Sequence, residues 1–553
     1  MDCLGEQAGS GVIATASEQR ATTAIAVLPN EARTAYAQLL DALQEAYPVR
    51  FVGAHELEGA AGLVVFPGGT APPRLDVPCL ALEAPEPAHG RGTSFRVELS
   101  RNVLLDRPLH AQRLLEHRGI QPTGIGANRG DVVLACSDGK PIWTCTGNGR
   151  HRERASALPC ELEPGAFLRD HLRAGHFWSL LPLAHFLKRI CDEGRQPHPT
   201  AACFVLDDAN VRASSYGYVR FPALAADARA HAYHVAVAAI PLDLVLPPRR
   251  GVRFFRENRP ALSLVVHGND HLHHEMERAR SPAEADRLVG SAEARVRRFE
   301  ERTDVAVERI MCPPHGTCGP ETLAALARWG FRGLTASGSF PWEGFDDHRR
   351  WRLGGWLPAQ LAGGGIPILP RYPLTANLDD LVFRAFLGQP LILYCHHDDL
   401  REGFDSFHAA VARVADLGGA RWESLASIAA SNANVRLAGN AATVTLYSCD
   451  VCIPRPAAPV VRVEVPRIFG RPEALRLVVD GVTHELHAGA GTTTMVVQNR
   501  RTEGALRIRL EAPRATAASR AAASWRPKAW PLARRVINEA RDRVRPLVPS
   551  AGA

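Results

Sequence analysis

The sequence predicts an α/β protein with a central distorted (β/α) barrel. A doubly wound α/β domain precedes the barrel, and a small β-sandwich and a basic helix follow it. Three observations carry this reading. Strand-like and helical stretches alternate through most of the chain, the pattern of layered α/β architecture. In the central region, apolar runs end repeatedly in polar, ionisable residues and give way to helical periodicity, the grammar of a β/α barrel. Beyond residue 432 the pattern changes to short alternating strands separated by Gly, Pro and Asp. The chain of 553 residues is too long for one ordinary core, since domains run to about 100–200 residues.

Residues 22–150 form the first unit. TAIAVL is strand-like, EARTAYAQLLDALQEAY has helical periodicity, and GLVVFPGG is a strand running into a glycine turn. That order suggests a doubly wound sheet. The Gly68-Gly69 turn lacks the spacing of a dinucleotide fingerprint, so the unit reads as a structural or recognition domain. Residues 151–198 form a connecting helical segment. Phe177, Leu180, Leu181, Leu183, Phe186, Leu187 and Ile190 make its apolar face, and the polar stretch EGRQPHPT closes it. Residues 199–432 form the barrel.

In residues 433–513, TVTLY, VVRVEVP, ALRLVV and RIRLEAP suggest the β-sandwich. Residues 514–553 form a basic amphipathic tail. Leu532, Val536, Ile537, Ala540 and Val544 fall on one helical face, and Arg534, Arg535, Arg541, Arg543 and Arg545 occupy much of the rest. Such a helix either lies on an anionic membrane surface or docks on its own protein.

Composition narrows the class. Hydrophobic residues at 46% and charged residues at 22% describe a globular chain rather than a disordered one. The formal net charge of +7 sits largely in the tail, so it permits an anionic partner without requiring one. No phosphate-binding loop or nucleic-acid motif is present, and no nucleic-acid partner is expected. The stretch MDCLGEQAGSGVIATASEQR lacks the basic start and apolar run of a signal peptide, and no apolar run reaches the roughly 18 residues of a membrane span. The 12 cysteines show no framework spacing, and Cys449-Asp450-Val451-Cys452 lacks the second pair of a zinc knuckle. The expected compartment is a reducing cytoplasm, with the tail as a route to peripheral contact at the inner face of the membrane.

The chemistry lies at four apolar run ends. AACFVL ends in Asp207-Asp208, and ALSLVV in His267-Gly268-Asn269-Asp270-His271. VERIMC ends in Pro313-Pro314-His315-Gly316, and LILYC in His396-His397-Asp398-Asp399. In a β/α barrel such ends converge on one site. Two histidines and one carboxylate form a three-ligand metal set that leaves a position open for water, whose pKa the metal lowers. A second carboxylate then serves as general base, and a histidine on the opposite wall as general acid. Taken singly, the Asp pair reads as a helix cap and HGNDHLHHE as a solvated helix start. Occurring at consecutive strand ends, they support one shared site.

The order of these motifs resembles the polysaccharide deacetylase family with the NodB-homology fold. The family's T-F-D-D-G is similar to Val205-Leu206-Asp207-Asp208-Ala209, which implies Asp207 as catalytic base and Asp208 as metal ligand. Its H-S/T-x-x-H is kept by His267 and His271, the other two implied ligands. Its R-P-P-x-G is similar to Cys312-Pro313-Pro314-His315-Gly316, which implies Pro314 and His315 near the substrate. Its final catalytic histidine is implied at His396, with His397 as the alternative. Three departures stand out: Ala209 replaces a glycine, Cys312 replaces an arginine, and the acidic fourth motif has no counterpart. Arg371, in ILPRYP, is the candidate to stand in for that arginine, at the base or the substrate.

The resemblance implies a NodB-type barrel over 199–432 and hydrolysis of a C–N amide bond. The implied substrate is an N-acetylated amino sugar or polysaccharide, and the cofactor a divalent metal, zinc by default. Two alternatives stay open: a catalytically impaired glycan-binding protein on the same fold, and a small-amide hydrolase of that fold.

Overall fold

The structure is a computed structural model. It describes residues 22–544 except 73–75, 88–93, 118–119, 147–150, 197–198, 246–248, 339, 346–350, 471–473, 487–490, 500 and 502. Arg545 lies outside the described residues, and Arg543 outside the described side chains.

The N-terminal unit is one nine-stranded sheet. Val49–Val52, Thr23–Leu28, Gly62–Val65, Cys79–Leu82 and Arg152–Ala155 lie side by side and parallel. Only this half has the parallel pairing that a doubly wound sheet requires. Lys140–Thr146, Asp131–Ser137, Phe95–Leu99 and Arg113–Glu116 continue the sheet antiparallel. The cause is local. Asp138 and Gly139 both have positive φ, 49° and 72°, and make the two-residue turn that closes a hairpin. Phe95, Val97 and Leu99 face inward while Arg96 and Glu98 face water, the alternation of a half-covered antiparallel sheet. Arg152–Ala155, assigned from sequence to the connecting segment, belongs to this sheet.

The rest of that segment joins the first unit to the second. Helix Leu181–Cys191 is buried along most of its length. Phe177 packs 5.0 Å from Phe383, and His185 sits with Trp143 at 5.2 Å and Phe386 at 6.3 Å. Burial there pushes the His185 imidazole down to about 4.

The central unit alternates strands and helices. Among its elements, in chain order, are β1 (Ala201–Ala209), α1 (Phe221–Ala230), β2 (Val235–Ala239), β3 (Leu262–Val266), α2 (Pro282–Thr303), β4 (Glu308–Met311), α3 (Pro320–Arg328), β5 (Gly333–Ala336), β6 (Ile366–Pro370) and β7 (Leu391–Cys395). The strands run parallel in the spatial order β7-β1-β2-β3-β4-β5-β6. They are near-continuous apolar runs because both faces are covered. One segment reaches both ends of the strand row: β6 pairs with β5 at one end, and Tyr372–Pro373, which follows it, pairs with β7 at the other. Arg371 lies between these two pairings. Parallel strands put all their C-terminal ends on one side, so the four polar strand ends share one rim.

Downstream, two four-stranded sheets cover 433–511. Val444 and Val463 from one sheet, and Leu477 and Ile508 from the other, share a single core. Cys449 is buried and Cys452 exposed, and both are free thiols. The tail forms helix α4 (Ala529–Val544). Among the described residues no helix is long and apolar enough to cross a membrane.

The β1 core makes a direct test. Phe204 is fully buried and stacks on Phe407 at 4.1 Å and Trp422 at 4.8 Å. Phe204→Ala is expected to destabilise the central unit by about 3–5 kcal/mol. Urea unfolding followed by tryptophan fluorescence reads this as a lower midpoint. An unchanged midpoint would show that the stack contributes nothing.

Candidate metal centre

The site begins with an irregularity in β1. Leu206 pairs with Val237 and Ala209 with Ala239, so Asp207 and Asp208 together oppose Ala238 alone. This is a β-bulge, which bends the strand and re-aims its side chains. Asp208 has φ of 63°, a left-handed conformation rare outside glycine. The two neighbouring carboxylates consequently serve different partners.

Asp208 meets both histidines of the second motif. Its Oδ1 lies 2.9 Å from His267 Nε2 and 2.7 Å from His271 Nε2, and the three ligand atoms lie within 4.8 Å of one another. The other ring nitrogen of His267 fixes what this contact means. Nδ1 donates to the carbonyl oxygen of Cys312 at 2.7 Å, because a carbonyl only accepts. In the neutral ring Nε2 is then a lone pair facing a carboxylate oxygen. A positive charge must lie between them, either a second proton or a metal ion.

The titration tendencies agree. Burial alone would raise Asp208, but its bonds with His267 and His271 outweigh that and hold it well below the usual carboxylate range. Burial alone would lower His267, but the Asp208 and Asp207 carboxylates outweigh that and raise it. A divalent cation meets the same demand with two imidazoles and one carboxylate, and a backbone carbonyl accepting from Nδ1, as that of Cys312 does, is a usual outer partner of a metal-binding histidine.

Asp207 turns the other way. Arg371 Nη1 donates to both of its oxygens, at 2.9 and 2.8 Å, and both residues are buried. The guanidinium lies 4.3 Å from the centre of the Tyr394 ring. Arg371, weighed from sequence at the base or the substrate, is 2% exposed and sits behind Asp207. It reaches Asp207 because its segment runs from β6, at one end of the strand row, to a pairing with β7 at the other.

The loop carrying His271 is held by a residue that sequence reading passed over. The buried Glu275 carboxylate accepts from the backbone N–H groups of Asn269, Asp270 and His271, at 2.7, 3.1 and 3.0 Å. Arg295 of α2 grips the same loop through Asn269 Oδ1 at 2.9 Å and Asp270 Oδ1 at 2.5 Å. Gly268, at φ 62°, lies so close to Glu275 and Pro314 that a Cβ would come within 2.8 Å of Pro314. His271 itself has φ of 53°. The signal available in sequence was the acidic residue four places after His271, hidden in a stretch that read as a solvated helix start.

The remaining candidates separate by position. Pro314 is buried beneath Gly268 and supports the loop. His315 is exposed at the rim, with His273 and His274 rings each 4.7 Å away. Burial and the neighbouring imidazoles push it down. His396 is half exposed and its Nε2 lies 3.9 Å from Asp208 Oδ2. His397 is buried against Tyr216 at 4.9 Å and Tyr218 at 5.8 Å. Geometry thus brings His396 to the triad and sets His397 into the wall. Among the described residues, Asp227, His231 and His408 gather similar donors, but Asp227 already takes bonds from His408 at 3.0 Å and Tyr233 at 2.5 Å.

Helix α4 touches this site. Arg534 donates to the carbonyl of His271 at 2.7 Å and Arg535 to that of Asp208 at 3.2 Å. Arg535 is buried and pairs with Asp243 at 2.7 Å. The tail therefore docks on its own protein through these arginines.

No family model matches the chain, and no curated protein matches it. Among solved structures the chain is similar to a protein from Mycobacterium smegmatis described as a candidate polysaccharide deacetylase. The identity is 15% and the TM-score 0.29, over 42% of this chain and 90% of that one. It is also similar to a family 4 carbohydrate esterase from Streptomyces lividans in complex with acetate. There the identity is 11% and the TM-score 0.24, over 40% of this chain and 86% of that one.

Glu275 yields a prediction. Glu275→Ala leaves one buried and two half-buried N–H groups without their acceptor, at up to about 1–3 kcal/mol each. Zinc affinity, measured by competition with a chromophoric chelator, should fall about 10–100-fold, as for other lost outer-shell partners. Unchanged affinity would separate the loop from the metal site.

Proposed function

We propose that the chain is a metal-dependent hydrolase of C–N amide bonds. The observation that carries this reading is the pairing of a three-donor set, Asp208, His267 and His271, with a second carboxylate held separately by Arg371. Two imidazoles and one carboxylate suit zinc among the common divalent metals.

A metal held there would lower the pKa of a water and polarise a substrate carbonyl. The chain's own residues divide the remaining work. Arg371 holds Asp207 oriented through both of its oxygens, so that Asp207 can take a proton from the attacking water. Cys312 supplies the backbone carbonyl that holds His267 in its ligand tautomer, and so serves the site although its side chain does not replace an arginine. His396, on the accessible side of Asp208, is placed to protonate the departing amine. His397 packs between tyrosines and supports the wall. The motif order adds the substrate class: the acetyl group of an N-acetylated amino sugar or polysaccharide, with Pro314 holding the loop and His315 at the entrance. The buried Asp207–Arg371 pair favours an enzyme over an impaired binding protein, because it restores the base–arginine partnership that Cys312 had left open.

Acetate release from N-acetylated amino-sugar oligomers tests the proposal. Chelation should abolish release and zinc should restore it. His396→Ala should lower kcat by about 10²–10⁴-fold with metal content unchanged, and His397→Ala should lower it less. Acetate release that survives complete metal removal would overturn the reading. Hydrolysis confined to small amides would overturn the sugar assignment.

A further inference from the structure

Helix α4 is amphipathic with the usual sense inverted. An amphipathic helix on a globular protein buries its apolar stripe and shows water its charges. Here Arg535 and Asp542 are buried, with Asn538 and Glu539 beside them on the docked face. Arg535 pairs with Asp243, Tyr216 donates to Asp542 at 3.5 Å, and Glu539 faces Arg212 at 3.9 Å. Just upstream, Arg298 lies 3.9 Å over the Trp525 ring and Arg295 bonds the Trp525 carbonyl at 3.2 Å. The helix is thus held to the protein by polar contacts.

Its other face is left to solvent. Trp530 is 70% exposed, Val536 52%, Ile537 65% and Val544 52%, with Ala533 and Ala540 exposed among them. These are four of the seven large apolar side chains exposed among the described residues. Positions 530, 533, 537, 540 and 544 follow the 3–4 spacing of a single helical stripe. Such a stripe, concentrated on one element, marks a surface that something covers.

Charge decides what covers it. Residues 514–553 hold nine basic residues against two acidic, an excess equal to the +7 of the whole chain. Arg526, Lys528 and Arg541 are exposed around the stripe. A second copy would bring the same positive charge against itself. An apolar stripe with a tryptophan at one end and a cationic border fits the interfacial layer of an anionic bilayer.

We propose that α4 seats this protein on an anionic lipid surface through Trp530, Val536, Ile537 and Val544. The opposite face of the same helix, through Arg535, holds the Asp208 carbonyl, and Arg534, at the border of the stripe, holds that of His271. Seating thus places the rim of the candidate site beside the bilayer. The two sequence expectations for the tail are not alternatives: the helix docks by one face and leaves the other for lipid.

The test is co-sedimentation of the full chain with vesicles of phosphatidylcholine and phosphatidylglycerol in equal parts, against phosphatidylcholine alone. Binding to the mixed vesicles alone is expected, weakened by high salt because surface charges are screened. Ile537→Glu and Trp530→Glu should each reduce it by about tenfold or more, as expected when a buried apolar side chain is replaced by an anion. Both residues are exposed, so circular dichroism should be unchanged. Failure to bind, or binding indifferent to these changes, overturns the proposal. A dimer in solution that Ile537→Glu dissolves would assign the stripe to a second copy instead, and would overturn it too.

Discussion

Two adjacent carboxylates at the buried end of one strand must each meet a positive charge, and the rest of the site is arranged around that constraint. A regular strand would send Asp207 and Asp208 to opposite faces. The bulge at this point, with Asp208 in a left-handed conformation, frees them to take separate partners at one rim. Asp207 receives a permanent cation, the guanidinium of Arg371. Asp208 receives two imidazoles, one of which is committed by the Cys312 carbonyl to offering a lone pair. That second carboxylate is therefore satisfied only by a proton or a metal.

The same constraint explains the unusual support around the site. A loop with Gly268 and His271 at positive φ does not hold itself. Glu275 and Arg295 hold it from behind, and Pro314 wedges beneath Gly268. Backbone strain of this kind persists only where the surroundings enforce it, and it gathers at functional sites. The tail adds one more layer, since Arg534 and Arg535 occupy carbonyls of His271 and Asp208.

Much of the candidate site was legible because its residues sit at strand ends, where an apolar run stops abruptly. Asp208, His267 and His271 are brought together as their order and spacing suggested. Residues that act through the fold left weaker traces. Arg371 was visible only as a stray arginine, because its link to Asp207 depends on one segment running from β6 to a pairing with β7. Glu275 was hidden by its polar neighbours, which made a buried acceptor look solvated. His396 and His397 are identical in sequence terms and differ only in which way the chain turns after β7. In the first unit, Asp138-Gly139 carried a readable hairpin signal, and passing over it produced a doubly wound expectation where half the sheet is antiparallel. The inverted face of α4 was unreadable, since apolar spacing identifies a stripe but not the side that docks.

The central claim is that Asp208, His267 and His271 hold a metal while Asp207 stays with Arg371. Crystals of the zinc-loaded protein, measured on both sides of the zinc absorption edge, test it most directly. The predicted result is an anomalous peak bounded by Nε2 of His267, Nε2 of His271 and the Asp208 carboxylate, with Asp207 still on Arg371. A peak at Asp227, His231 and His408 alone, or none after loading, would contradict it.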